Sequence, residues 1–158
     1  MLKILILCTG NSCRSILAEA LLNHLGQGRV QAFSAGSKPA GEVHPKSLAL
    51  LQSKGISTEG LRSKSWDEFG DVAFDAVITV CDNAAGEACP LFPGAPVKAH
   101  WGVPDPAGAT GTDAEIMQVF ENSCATLEAR IRALLDLSPD LRGAELAQKL
   151  RSIGETVT

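Results

Sequence analysis

Hydrophobic and polar positions along this chain fall into blocks that switch repeatedly between strand-like runs and helical spacing. Ile4 to Leu7 is an unbroken apolar run, too short for a helix of its own, and it predicts a strand buried on both faces. The run stops at Cys8, and Thr9, Gly10, Asn11 and Ser12 are turn and cap residues. After Ser15, Leu17, Leu21 and Leu25 fall at helical spacing, so the opening order is strand, tight polar loop, helix. Val30 to Phe33 predicts a second short strand, ending in Ser34, Ala35 and Gly36. Pro45 suits a first helical position, with Leu48, Leu51 and Ile56 on one face and Gly55 as the stop.

Residues from Ser57 to Lys64 are polar and turn-like, and Trp66-Asp67-Glu68-Phe69 predicts one short helix whose aromatic residues cap the core. Ala76 to Val80 predicts a third strand, which, like the first, runs into a cysteine, Cys81. Residues 82–95 read as a long loop rich in Ala, Gly and Pro that contains Cys89. Val97 to Trp101 predicts a fourth strand, followed by the turn Gly102-Val103-Pro104-Asp105-Pro106. Thr112 with Glu115 forms a capping-box pattern, and the long helix it opens carries Ile116, Phe120, Cys124, Leu127, Ile131 and Leu135 on one stripe. Ser138 and Pro139 break that helix, and Leu141 to Ile153 predicts a final short one.

Alternating strands and helices imply right-handed crossovers and a parallel sheet. The expectation is a single three-layer α/β domain, a four-stranded parallel sheet with helices on both faces. Residues 1–137 would form the domain proper, and 138–158 a C-terminal extension packed on it. In such sheets the working site lies outside the carboxyl ends of the strands. Cys8 ends the first strand, Cys81 the third, and Asp105 follows the fourth, so topology alone predicts all three at one edge.

Composition narrows the class. The chain has 158 residues, 45% of them hydrophobic, which suits one domain with a substantial core. A formal charge of −4 with no long basic run argues against nucleic-acid or membrane-surface roles. The few residues before Cys8 leave no room for a signal peptide, and no apolar run approaches membrane-spanning length, so a cytoplasmic protein is expected. Five cysteines in a reducing compartment point to catalytic or redox use rather than a structural disulfide framework. Nothing in the pattern requires an obligate assembly, and a monomer is expected.

The loop between the first strand and helix gathers backbone N–H groups at a positive helix end, an anion site by geometry. Its members are Thr9, Gly10, Asn11, Ser12 and Cys13, and Arg14 adds a planar fork of donors suited to a tetrahedral oxyanion. At its mouth Cys8 would feel the amides, the helix end and Arg14, all of which favour a nucleophilic thiolate. Asp105, in a proline-flanked turn, is the candidate acid for a leaving oxygen.

The stretch Cys8-Thr-Gly-Asn-Ser-Cys-Arg14-Ser15 between a strand and a helix resembles the phosphate loop of the low-molecular-weight protein tyrosine phosphatase fold, shared by phosphatases and by thiol-dependent arsenate reductases. The resemblance implies Asp105 as general acid. Val80-Cys81-Asp82-Asn83, Glu87-Ala88-Cys89-Pro90, His100-Trp101-Gly102 and Asp105-Pro106-Ala107 are similar to the three-cysteine arsenate reductases. That similarity implies conversion of arsenate to arsenite by a cascade: Cys8 attacks arsenate, Cys81 closes a disulfide with Cys8, and Cys89 attacks Cys81 to carry the disulfide on as Cys81–Cys89. Thioredoxin, or glutathione with glutaredoxin, would reduce it. The same resemblance carries over Asn11 as a loop-shaping residue and Ser15 as a hydroxyl that stabilises the thiolate.

Two departures modify the picture. The chain has no Tyr, and Ala107 stands where phosphatases usually place an aromatic residue, which speaks against a phosphatase. Some relatives hold potassium beside the loop; Asn11, Glu19 and Ser34 match that set, but the remaining region reads Ser63-Lys64-Ser65. A lysine there repels a cation, so no metal site is expected and Lys64 is the candidate electrostatic substitute.

Blander roles suit several other residues. Cys13 is expected to turn its side chain into the core, and Cys124 sits on the apolar stripe of the long helix. His24 and His44 read as helix-surface and cap residues, and the spacing of Cys81, Cys89 and His100 matches no usual zinc pattern. The rival readings are a phosphatase whose extra cysteines protect Cys8, and a non-enzymatic thiol sensor or oxyanion-binding module.

Overall fold

The four residues Ile4, Leu5, Ile6 and Leu7 have no polar side, so water must be excluded from both faces of the strand they form. In the computed structural model, which describes residues 1–81, 92–93 and 96–157, that strand (β1, Leu2–Leu7) is central in the sheet order β2-β1-β3-β4. Its neighbours are β2 (Val30–Ala35) and β3 (Ala76–Thr79), and β4 (Val97–His100) forms the far edge beyond β3. All pairings are parallel, and the registers Leu7 with Ala35, Leu7 with Thr79 and Thr79 with His100 align the carboxyl ends of the strands. Cys8, Gly36, Val80 and Trp101 therefore leave the sheet side by side.

Alternation along β1 separates two cores. Ile4 and Ile6 join the larger one with Leu17 and Leu21 of α1 (Arg14–Leu25), Leu50 and Leu51 of α2 (Pro45–Ser53), Phe120 and Leu127 of α3 (Asp113–Leu135), and Leu150 of α4 (Gly143–Thr156). Leu5 and Leu7 face the other way, onto Phe74, Val77 and Phe92. There Phe33, Phe69 and Phe74 meet with ring centroids 5.5 to 5.9 Å apart, in tilted and edge-on geometries that suit aromatic quadrupoles. Trp66 and Phe69, on the short 3-10 helix Trp66–Phe69, pack against this cluster from outside, as expected of core-capping aromatics.

Side-chain caps start α2 and α3. His44 caps α2, its ring Nδ1 accepting the Lys46 N–H at 3.1 Å, with Pro45 in the first turn. Thr112 and Glu115 close the expected capping box on α3. On α2 the buried face is Ser47, Leu50 and Leu51, with Leu48 at its margin, a rotation from the expected stripe. It follows from the Ser47 hydroxyl, which donates to the Ser12 carbonyl at 3.2 Å and so draws that side of α2 toward the loop. On α3 the buried stripe contains Arg130 as well as Phe120, Cys124, Leu127 and Ile131. The last helix covers β4: the Trp101 indole N–H donates to the Leu150 carbonyl at 2.8 Å, and Gly154 lies against the His100 and Trp101 backbone and ring. No described helix is long and apolar enough to cross a membrane.

Candidate active site

The loop after β1 is held from outside by its carbonyl groups. Lys38 N–H donates to the Thr9 carbonyl at 3.0 Å, Ala40 N–H to Gly10 at 2.9 Å, and His44 N–H to Ser12 at 3.1 Å. The hydroxyls of Ser63 and Ser47 add bonds to the Gly10 and Ser12 carbonyls. With these oxygens turned outward, the amides of the loop turn inward. Gly36 makes the close approach feasible, because a Cβ there would overlap the Cys8 and Thr9 carbonyl oxygens.

Asn11 sets the turn. Among the described residues it alone of the non-glycines has a positive φ, 48°. Three bonds hold it there: its Nδ2 donates to Ser15 Oγ at 2.8 Å and Ser34 Oγ at 2.9 Å, and its Oδ1 accepts the Lys64 N–H at 2.9 Å. Ser15 is buried and accepts from Asn11, which leaves its own hydroxyl proton to donate. Behind it, Lys64 is only 7% exposed, with Nζ 3.5 Å from Glu19 Oε1, 3.4 Å from Ser34 Oγ and 2.8 Å from the Arg62 carbonyl. Ser34 in turn donates to Glu19. Burial pulls the Lys64 ammonium down from its ordinary value, against the opposing pull of Glu19.

Cys8 and Cys81 lie together. Cys81 is 3% exposed, its Sγ accepts the Thr9 N–H at 3.4 Å, and the Thr9 hydroxyl stands 3.7 Å away. Cys8 is hydrogen-bonded to Cys81, and that bond, followed by burial, pushes the Cys8 thiol far up; Arg14 and the Gly10 amide pull it down by less. This corrects the expectation of a ready thiolate. Loop amides and Arg14 act in the expected direction, but a buried neighbouring sulfur that shares the proton outweighs them.

Arg14 opens α1 and reaches across to the turn after β4. Its Nη1 donates to the Val103 carbonyl at 2.9 Å and its Nη2 lies 3.7 Å from Asp105 Oδ2, while its buried Nε has no partner among the described residues. Nη1 is thus bound to the turn after β4, while Nη2, only within ion-pair distance of Asp105, and the unbonded Nε keep donors for an anion. Asp105 is 52% exposed and caps the 3-10 turn Pro106–Gly108, its Oδ1 accepting the Ala107 N–H at 3.0 Å.

Cys13 is buried, with Sγ 3.6 Å from Ser12 Oγ, and burial raises its thiol. Cys124 is buried on α3 and its thiol is likewise raised. Cys89 lies outside the described residues. His100 pairs with the Thr79 hydroxyl at 2.7 Å through Nδ1. Among the described residues no group of three His, Cys, Asp or Glu side chains is placed to hold a metal ion.

The structure thus brings Cys8, Cys81, Arg14 and Asp105 to one edge, with Thr9, Gly10, Asn11, Ser12 and Ser15 in or behind the loop. Sequence reasoning missed Ser47, Ser63 and the Val103 carbonyl, which hold the loop and Arg14. Backbone carbonyls carry no sequence signal, and the two serines look like ordinary polar positions.

Residues 3–152 match the family described as low molecular weight phosphotyrosine protein phosphatase. The chain is 35% identical over 133 residues to an arsenate reductase of Shouchella clausii, a match spanning 80% of this chain and 89% of that protein. A solved arsenate reductase in the phosphate-binding state superposes with a TM-score of 0.69 at 28% identity, over 85% of this chain and 97% of the other. The thioredoxin-dependent arsenate reductase of Corynebacterium glutamicum superposes with a TM-score of 0.64 at 31% identity, over 85% of this chain and 60% of that one.

Proposed function

The chain belongs to the low molecular weight phosphotyrosine protein phosphatase family, and from that premise we propose that it is an arsenate reductase passing two electrons to arsenate through a relay of thiols. The observation that carries this reading is the hydrogen-bonded contact of Cys8 with Cys81 beside the amide-lined loop. A phosphatase needs one thiol at that loop and no second one against it. The similarity to arsenate reductases supports the same choice of substrate.

Arsenate enters the loop against the inward amides and the Arg14 Nε. Cys8 sulfur bonds to arsenic and one arsenic–oxygen bond breaks; Asp105 protonates the departing oxygen, and the Cys8 proton balances the water released. Cys81 then attacks the Cys8 sulfur. The sulfur–arsenic bonding pair stays on arsenic, which falls from the +5 to the +3 state and leaves as arsenite, and the two thiols become a Cys8–Cys81 disulfide. As Cys81 gains charge, the Thr9 N–H is in place to stabilise it. Cys89 takes over the disulfide from Cys8, restoring the Cys8 thiol, and an external dithiol reductant resets the pair. Thioredoxin is the reductant favoured by the similarity to the Corynebacterium glutamicum enzyme, with glutathione and glutaredoxin as the alternative.

One equivalent of arsenate added under anaerobic conditions, followed by mass spectrometry of the trapped disulfides, tests the relay. The expected products are Cys8–Cys81 and Cys81–Cys89 linkages, and Cys81→Ser abolishes arsenite release. Hydrolysis of an aryl phosphate with no arsenite formed would establish the phosphatase instead.

A further inference from the structure

Arg130 is a buried cation that the relay does not use. It sits on the inner face of α3, 4% exposed, among Leu127, Ile131 and Leu134. No carboxylate pairs with it among the described residues; its Nε donates to the Val157 carbonyl at 2.8 Å and its Nη1 to the Gly102 carbonyl at 3.0 Å. Burial lowers its pKa. A guanidinium desolvated for two carbonyl oxygens is a costly way to fill space, and an apolar side chain would fill it without that cost.

The two carbonyls explain its presence. Gly102 begins the turn that carries Val103 and Asp105; Val103 N–H donates to the Val80 carbonyl at 3.1 Å, and the Val103 carbonyl receives Arg14. Val157 ends α4, the helix that covers β4 through Trp101 and Gly154. Arg130 therefore joins the acid turn to α3 and to the C-terminal end of the chain. Ser123, two turns earlier on α3, donates to the Pro104 carbonyl at 3.3 Å and holds the same turn from a second point.

We propose that Arg130 is a positioning residue of the reaction, fixing the Gly102–Asp105 turn so that Asp105 and the Arg14 fork face the thiol loop. The proposal rests on the arsenate reductase reading for its kinetic consequence and on geometry alone for its structural one. With the guanidinium gone, the turn keeps the Val80 and Ser123 bonds but loses the anchor next to the acid, so the chemical step suffers more than arsenate binding.

The test compares Arg130→Met and Arg130→Lys with the full-length protein, at a temperature where all three give the same far-UV circular dichroism. In Arg130→Met the single-turnover rate of arsenate-triggered disulfide formation falls about tenfold, with the arsenate concentration for half-maximal rate within about twofold of wild type. Arg130→Lys, which keeps one charged donor, recovers most of the rate. Amide hydrogen exchange at Val103 and Ala107 speeds up in Arg130→Met while the β1 amides stay protected. A folded Arg130→Met with an unchanged rate, or a rate loss with exchange raised evenly across the sheet, overturns the proposal. If Arg130→Met does not fold, Arg130→Gln takes its place under the same criteria: a slower rate with faster exchange confined to the turn supports the proposal, and wild-type rate and exchange overturn it. If the wild type fails to reduce arsenate, the functional reading falls, and the exchange arm still judges Arg130.

Discussion

Lys64 brings an ammonium behind the loop, 3.5 Å from Glu19 Oε1 and 3.4 Å from Ser34 Oγ. Replacing it with Met leaves the Glu19 carboxylate buried beside Ser34 without its counter-charge, at a cost of about 3 kcal/mol. Urea unfolding should show that loss, and the Asn11 turn, bonded to the Lys64 backbone rather than its side chain, should survive it. Because the charge is already tethered, exchanging potassium for sodium leaves wild-type activity and stability unchanged; potassium stimulation in either assay would refute this. The positive charge at Lys64 was visible in the sequence, because a lysine carries it wherever it stands. The Cys8 proton was not, since its retention depends on burial and on Cys81, a residue far along the chain.

Contact between α4 and β4 depends on the absence of a side chain at Gly154. A Cβ there would overlap the His100 carbonyl oxygen and come 2.7 Å from Trp101 Cδ1, and neither belongs to a flexible chain end that can step aside. Gly154→Ala should therefore destabilise the fold by about 2 kcal/mol, even though alanine favours helix more than glycine does. The urea midpoint measures this, and a stabilised variant would show that α4 does not press on β4 as described. Strands β1 and β3 were legible from unbroken apolar runs, and α2 and α3 from Pro45 and the Thr112–Glu115 box. Helix faces were less so: Arg130 lies outside the apolar stripe expected for α3, and the carbonyls of Gly102 and Val157 receive it in the buried face.

At the level of the whole molecule, buried thiols tie stability to alkaline pH. Cys8, Cys13 and Cys124 all hold their protons above the ordinary thiol value of 9.0. Above that pH the unfolded chain releases these protons while the folded one keeps them, so stability falls as pH rises, by up to about 1.4 kcal/mol per unit for each group. Lys64 works the other way: its lowered value means the folded state binds fewer protons below 10.5, and stability gains as pH climbs toward that point. Among the described groups shifted near this range, three thiols against one ammonium give a net loss between about pH 9 and pH 10, measurable by denaturant midpoints, and Cys124→Ala should flatten the slope. A midpoint that does not move across that range would mean these thiols are not held as described. The shared edge of the sheet was legible because parallel topology aligns strand ends whatever the side chains. The bonds that cross between elements there were not, because most end on main-chain oxygens.

Those oxygens have one more effect. With the carbonyls of Thr9, Gly10 and Ser12 fastened by other segments, the anion cradle is complete as soon as the chain has folded, and a tetrahedral guest finds a template already cut. Arsenate and phosphate are alike in shape and charge, so a cradle that reads only shape and charge has little by which to tell them apart. Discrimination between them must come afterwards, at the sulfur atoms, where only the arsenic centre readily accepts the electron pair that a neighbouring thiol releases.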